Sequence, residues 1–190
     1  MRPAEPTLPA PPGRERRVLP SVVVLLVLVV VVLGGYVTAG ALSSAAGPPI
    51  DVAGVVRVSP LSGWELAERF ADPPAARLTR GSANLDVAAV SFAGAGDDLV
   101  REYVEQVLEP EAEQLSVSRV EAVTLDSGLR GSRLFYVGTF GGVQSPIEGE
   151  VTALVPVSGS AVIFDGWAPF GLLQYALDDV ETMIERAELS

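Results

Sequence analysis

The side chains in this sequence whose types and spacing could do chemistry are carboxylates. Asp97-Asp98, Glu148 with Glu150, and Asp178-Asp179 with Glu181 are close pairs, and Glu109, Glu111 and Glu113 form a looser group. Paired carboxyls serve glycoside hydrolysis when they face each other across a cleft about 5–10 Å apart, which neighbours along one helix surface do not achieve. A calcium loop sets several acids at alternate positions around a glycine, whereas Asp126-Ser127-Gly128 and Asp165-Gly166 read as single acids in turns. Glu148 and Glu150 share one face of a strand because side chains alternate, and Arg130 and Arg133 on the preceding strand pair with them if the hairpin register allows. A solvent-facing edge with weak pairs is the expectation there.

Composition removes most other chemistry. The chain has no His and no Cys, and all 13 of its basic side chains are Arg. Ser-His-Asp and Cys-His nucleophile systems need an imidazole, while Schiff-base and P-loop chemistry need Lys. Zinc sites of His or Cys are excluded in the same way, and no disulfide can form. No catalytic, cofactor-binding or metal-ligating residue is assigned, and no cofactor is expected. A carboxylate-dependent hydrolase stays open as an alternative. Tyr103 reads as a core residue. Trp64, Trp167 and Phe170 also read as core or loop-packing aromatics, and they become the candidate partner surface if they are exposed together.

The elements that must position these residues follow from periodicity. Val52 to Ser59 reads as a strand ending at Pro60, and Trp64 to Phe70 as a short helical or irregular piece broken by Asp72-Pro73-Pro74. Ala76 to Thr79 and Ala83 to Phe92 make a hairpin around Gly81. Leu99, Val100, Tyr103, Val104, Val107 and Leu108 recur at helical spacing after an Asp97 or Asp98 cap, in a helix running to about Glu109 and resuming past Pro110 to Leu115. Strands at Val117 to Leu125, Ser132 to Phe140, Ile147 to Pro156 and Ala161 to Trp167 have short connections, which demand antiparallel neighbours. A closing helix begins near Gly171. The fold class is therefore α+β, an antiparallel sheet of about six or seven strands with two packed helices.

Ahead of this domain lies a charge-free stretch whose centre, Val22 to Leu33, is unbroken Val and Leu. At about 1.5 Å rise per residue, a helix over Val22 to Leu42 covers roughly the 30 Å of a bilayer core. The expected organisation is a Pro-rich and Arg-rich disordered cytoplasmic tail over residues 1–17, a single transmembrane helix over 18–42, a linker over 43–50 and an extracytoplasmic α+β domain over 51–190. Arg14, Arg16 and Arg17 beside the run place the N-terminus in the cytoplasm and the protein in the cell membrane as a single-pass chain. A cleaved signal peptide, cut after Ala41 or Ala46, is the rival reading. A lipoprotein anchor is excluded for want of Cys. Gly35 with Ala39, or Gly40 with Ser44, gives the small-residue spacing through which two spans could form a homodimer.

Charge is divided along the chain. Residues before Ser43 hold four Arg and two Glu, whereas those from Ser43 onward hold nine Arg and 22 acids, a net of −13. Nucleic acid is excluded as a partner, because phosphate binding rests on basic side chains. The abundance of Ala, Val, Gly, Pro and Arg looks like the bias of a GC-rich, actinobacterial-like genome.

The order of elements, together with Ser59-Pro60-Leu61-Ser62-Gly63-Trp64, the Leu78 to Val90 hairpin with Gly81 and the Ala161 to Ser190 ending, resembles the PsbP-like fold. That fold is shared by the extrinsic PsbP proteins of photosystem II, the Ran-binding Mog-type proteins and many small bacterial exported proteins of unknown function. The resemblance implies a non-enzymatic domain that binds or steadies a protein partner, and no functional residue carries over. The expected function is a membrane-anchored extracytoplasmic domain with a protein-binding or assembly role in a bacterial envelope. A small-molecule or lipid carrier and a secreted protein remain alternatives.

Overall fold

In the computed structural model, residues 47–143, 145–156 and 159–190 are described. The expected cytoplasmic tail, the expected transmembrane helix and residues 43–46 of the linker lie outside the described residues. Among the described residues no helix is long and apolar enough to cross a membrane.

The domain opens with a hairpin, β1 (Ile50–Val52) and β2 (Val56–Val58), where one strand over Val52 to Ser59 was expected. The chain reverses because Ala53 and Gly54 both take positive φ, 56° and 68°, and the Gly54 N–H donates to Asp51 Oδ1 at 2.9 Å. Two consecutive left-handed residues match the twist of paired strands, and Ala is a weak sequence signal for that turn.

β3 (Glu65–Ala71) is a strand rather than a helical piece. It is an edge strand exposed along its whole length, so no apolar alternation marks it, and its ladder to β4 (Pro74–Arg80) overrides the helix-forming residues in it. β4 and β5 (Ala83–Ser91) form the expected hairpin, with Gly81 at φ 61°.

Helix α1 (Gly96–Tyr103) is preceded by Ala95 at the cap position, not by Asp97 or Asp98, both of which pair with Arg101. It continues into a π-helical turn, Val104–Leu108, and a last turn, Glu109–Glu111. The wider turn falls just before Pro110, whose ring crowds the preceding carbonyls and which has no N–H to offer them. The helix ends there, and Leu115 lies in β6 (Ala112–Val117).

The single strand expected over Val117 to Leu125 is the end of β6 plus a separate β7 (Glu121–Thr124). Both pair with β8 (Arg130–Phe140), β7 with its first half and β6 with its second. β9 (Ile147–Leu154) and β10 (Ser160–Pro169) follow as expected. The closing helix starts later than Gly171: a 3₁₀ turn, Leu173–Tyr175, precedes α2 (Leu177–Glu185), and β11 (Glu188–Leu189) ends the chain.

The main sheet is wholly antiparallel, in the order β3-β4-β5-β10-β9-β8-β6 with β7 beside β8, which makes eight strands where six or seven were expected. A second sheet, β1-β2-β11, joins the start of the described chain to its end. Alternation sends the side chains of each strand to two faces. α1 lies over β8 and β9 on one face, closing a core of Leu99, Val100, Val104 and Leu108 on Leu134, Val151, Ala161 and Ile163. α2 and the small sheet close the other face, with Val180, Met183 and Ile184 over Leu85, Val87, Val162 and Phe164. The result is three layers with two cores.

On the α1 face Tyr136, Gly149 and Trp167 stand in one cross-strand row. A Cβ built at Gly149 would come 2.3 Å from Tyr136 Cζ and 2.5 Å from its hydroxyl oxygen, so this glycine is what lets the ring lie across β9. On the α2 face a Cβ at Gly166 comes 2.9 Å from a Val180 methyl group. Gly149→Ala is expected to lower stability by about 1–3 kcal/mol in urea unfolding, as overpacking of a filled site does. Gly166→Ala is expected to cost less, because the added Cβ meets only the Val180 side chain, at 2.9 Å and beyond, where that at Gly149 meets a ring at 2.3 Å.

Candidate functional site

Asp165 is the centre of the larger polar cluster. It is not in a turn: it sits in the middle of β10, on the α1 face, between Ile163 and Trp167, and is 4% exposed. The Tyr103 hydroxyl, on the last residue of α1, donates to its Oδ2 at 2.8 Å, and the Tyr136 hydroxyl donates to Oδ1 at 3.0 Å. Asp86 of β5 stands directly opposite Asp165 in the ladder, and Arg77 of β4 directly opposite Asp86. Arg77 donates to both Asp86 oxygens, Nε to Oδ1 at 2.6 Å and Nη2 to Oδ2 at 2.8 Å, while the Trp167 indole N–H donates to Oδ2 at 3.2 Å. The Arg77 guanidinium also lies against the rings of Phe70 and Trp167, 5.5 and 5.6 Å from their centroids.

Electrostatics separates the two facing carboxyls. Burial pushes the Asp165 carboxyl up to about 7, against the pull of the tyrosine hydroxyls, and the neighbouring Asp86 charge adds to the rise. Burial and the Asp165 charge likewise raise both tyrosines, so they stay neutral donors. The hydrogen bond to Asp86 raises Arg77. A cavity of about 330 Å³ adjoins the cluster, lined also by Val107, Phe140, Val143 and Ile147. The carboxyls of the cluster are engaged by tyrosine, arginine and indole donors, so it has the form of a structural network with a recess of mixed polar and apolar lining beside it.

A second cluster lies on the α2 face. Glu150 of β9 is 2% exposed, in the middle of the sheet and not at a solvent-facing edge. Its Oε1 accepts from the Thr152 hydroxyl at 2.9 Å and lies 4.0 Å from Arg133 Nη1, which itself reaches Glu181 Oε1 at 3.1 Å. Arg133 is thus the partner the alternation of β8 and β9 indicated, while Arg130 has no ion pair with either Glu148 or Glu150 among the described residues. Glu150 Oε2 is buried with no hydrogen bond from any described residue. An unsatisfied buried acceptor costs about 1–3 kcal/mol, and more when charged. Burial raises the Glu150 carboxyl accordingly. Glu148, on the same face, accepts from the Leu173 N–H at 2.8 Å and fixes the 3₁₀ turn.

The three aromatics singled out from the sequence do not meet in one exposed patch. Trp64 is 4% exposed in the α2-side core, where its indole N–H donates to Asp179 Oδ2 at 2.9 Å and Arg80, which pairs with the same carboxylate, covers its ring. Trp167 is half-buried on the α1 face, and Phe170 is 62% exposed in the following loop. Asp97 and Asp98 pair with Arg101, and Asp179 holds Arg80 and Trp64, while Asp178 lines a recess beside α2. Asp165 was expected in a turn, and Asp86 escaped the sequence reading. The signal for both was an acid set inside an alternating apolar run, Leu85-Asp86-Val87 and Phe164-Asp165-Gly166-Trp167.

A continuous antiparallel sheet with one helix on each face and a polar row across its central strands defines an α+β domain with the fold of PsbP and Mog1p. The chain is similar to cyanobacterial PsbP (CyanoP) of Synechocystis sp. PCC 6803, with a TM-score of 0.54 and 15% identity over 75% of this chain and 92% of that one. It is similar to the Ran-binding protein Mog1p of Saccharomyces cerevisiae, with a TM-score of 0.56 and 10% identity over 77% of this chain and 96% of that one. LpqN of Mycobacterium tuberculosis, described as involved in cell envelope biogenesis, gives a TM-score of 0.49 and 11% identity over 77% of this chain and 87% of that one. No protein-family model matches the sequence, and no curated protein matches it.

The raised Asp165 carboxyl has a measurable sign. Its folded-state value near 7 exceeds the ordinary 3.8, so its contribution is most favourable below about 4, declines as pH rises and levels off above about 7. Asp165→Asn abolishes the titration, and the amide oxygen and N–H can still meet the two tyrosine hydroxyls. In urea unfolding the variant is expected to gain on wild type by roughly 1 kcal/mol per pH unit between pH 5 and 7 and by nothing further above that. A constant difference across this range would show that Asp165 does not titrate there.

Proposed function

We propose that this chain is a non-enzymatic binding domain held at the cell membrane by residues 18–42, with its N-terminus cytoplasmic and residues 51–190 on the far side, where they engage another envelope protein. The observation that carries the binding role is a set of exposed apolar side chains in the connections at one end of the main sheet. Phe170, Leu172 and Tyr175 are 62%, 42% and 73% exposed, and Val143 in the β8–β9 connection is 46% exposed. The two connections are tied together by the Phe170 N–H, which donates to the Pro146 carbonyl at 2.8 Å. Large aromatics presented on a fixed backbone are the residue types that anchor protein interfaces.

Other support is of three kinds. The chain lacks His, Cys and Lys, and its two buried carboxylate clusters are engaged mainly in internal bonds. The apolar run and its Arg-rich flank have the length and charge asymmetry of a single-pass anchor. Mog1p, which has this fold, is a Ran-binding protein, so the fold is compatible with partner binding.

A photo-crosslinking residue at position 170 or 175 in intact cells is expected to give one discrete protein adduct, and one placed at exposed Val117 on the β6 edge to give none. The F170D/Y175D double variant is expected to cut capture by a neighbouring crosslinker at position 172 at least tenfold. Its stability should stay within about 0.5 kcal/mol of wild type, as for exposed positions generally. Equal adducts from positions 117, 170 and 175, or none from any, would remove the partner surface. The intact mass of the membrane-fraction protein tests the anchor separately: a full-length mass supports it, and a mass beginning after Ala41 or Ala46 replaces it with secretion.

A further inference from the structure

On the α2 face, a cavity of about 580 Å³ opens between the helix and the sheet. Glu150 lines it with a buried carboxylate oxygen that no described residue satisfies. Glu181 and Asp178 of α2 line it too, and Val123, Leu125 and Ile184 supply an apolar wall. We propose that this cavity is a binding site for an organic cation, an alkylguanidinium or alkylammonium group, whose charged head meets Glu150 and Glu181 while its methylene stem lies along Val123, Leu125 and Ile184. The site is independent of the apolar surface at Phe170 and Tyr175.

Three observations direct this assignment. The first is the orphan itself: a buried, unpaired acceptor on a carboxylate is rare in folded proteins and calls for a donor. Arg133 does not fill the role, because it lies 3.1 Å from Glu181 but 4.0 Å from Glu150 Oε1, with its guanidinium held 5.6 Å from the Phe135 ring centroid. The second is charge. The cavity is lined by five acids and two arginines, so a cation is favoured and an anion opposed. The third separates an organic cation from a metal ion. Among the described residues no group of three acidic side chains is close enough together to hold a metal, whereas an N–H-rich head can bond to separated carboxylates. A space walled partly by Val, Leu and Ile suits a cation that carries hydrocarbon, as Lys and Arg stems do.

Isothermal titration of the full-length chain in a neutral detergent with n-butylguanidinium tests the proposal. Butylurea is the uncharged probe of similar shape. Saturable one-site binding of butylguanidinium is expected, at least tenfold tighter than butylurea, with no comparable binding of calcium chloride at matched ionic strength. Glu150→Gln is expected to weaken it tenfold or more. Glu65→Gln, an exposed acid on edge strand β3, should leave it unchanged. If Glu150→Gln fails to fold by circular dichroism, Glu181→Gln serves, with at least a threefold loss expected. Equal affinity for butylurea, tighter binding of calcium, or full affinity in the folded Glu150 or Glu181 variant would overturn the assignment. N-acetyl-arginine amide distinguishes the source: binding as tight as butylguanidinium supports a side chain of another protein, and weaker binding supports a free small cation.

Discussion

A carboxyl group buried at the middle of the central strand is the constraint around which the α1 side of this domain is built. Asp165 points into a face on which β10 otherwise sets Ala161, Ile163 and Trp167, and it is 4% exposed. Its two oxygens are met by two tyrosines that come from separate elements, one from the last residue of α1 and one from β8. The Tyr136 ring can reach it only because β9 has no side chain at Gly149. Asp86 cannot draw on the same donors, so Arg77 and the Trp167 indole supply its bonds from the other side. Removing Tyr103, Tyr136 or Arg77 takes from a carboxylate oxygen the donor described for it, so these groups depend on one another.

The opposite face is organised by a different balance. Its core is larger, and its polar atoms are spread along α2 instead of gathered on one strand: Asp179 holds Arg80 and Trp64, Glu181 holds Arg133, and Glu185 accepts from the Asp126 N–H at 2.8 Å. α2 is thereby pinned by side chains from β4 and β8 and by a backbone N–H of the β7–β8 turn, in addition to its own Val180, Met183 and Ile184. Where these attachments leave the sheet uncovered, Glu150 lines a recess with one carboxylate oxygen unsatisfied. One face thus consumes its buried charge internally, and the other leaves an acceptor over.

Which parts were legible beforehand follows from which forces wrote them. The β4–β5 hairpin and β8, β9 and β10 declare themselves through alternation and glycine turns, because each has a buried face. α1 shows its apolar stripe for the same reason, but its π turn depends on the fit of a proline into a helix end and leaves no periodic mark. β3 is exposed on both sides and is held by its ladder to β4 and by a bond from Arg69 Nη1 to the Asp51 carbonyl, neither of which leaves an apolar alternation, so its residues point to helix. The first hairpin hides behind an alanine in a left-handed conformation. Asp165 was misread because an acid followed by glycine is also the commonest form of a turn, and only the tyrosines brought from 29 and 62 residues away make its burial tolerable. The Glu150–Arg133 pairing could be anticipated from strand geometry; that α2 would bury it could not, since the covering helix comes from the far end of the sequence.

The small sheet has a temporal consequence. β2 is bonded to β1 within the first few residues of the domain, yet its other edge waits for Glu188 and Leu189, the last strand of the chain. Closing a loop of this span carries an entropy cost that local pairing cannot offset early. As a chain is made from its N-terminus, the opening hairpin must therefore stay half-matched until Glu188 and Leu189 have been added. A polypeptide interrupted before Glu188 would carry an unsealed edge on β2.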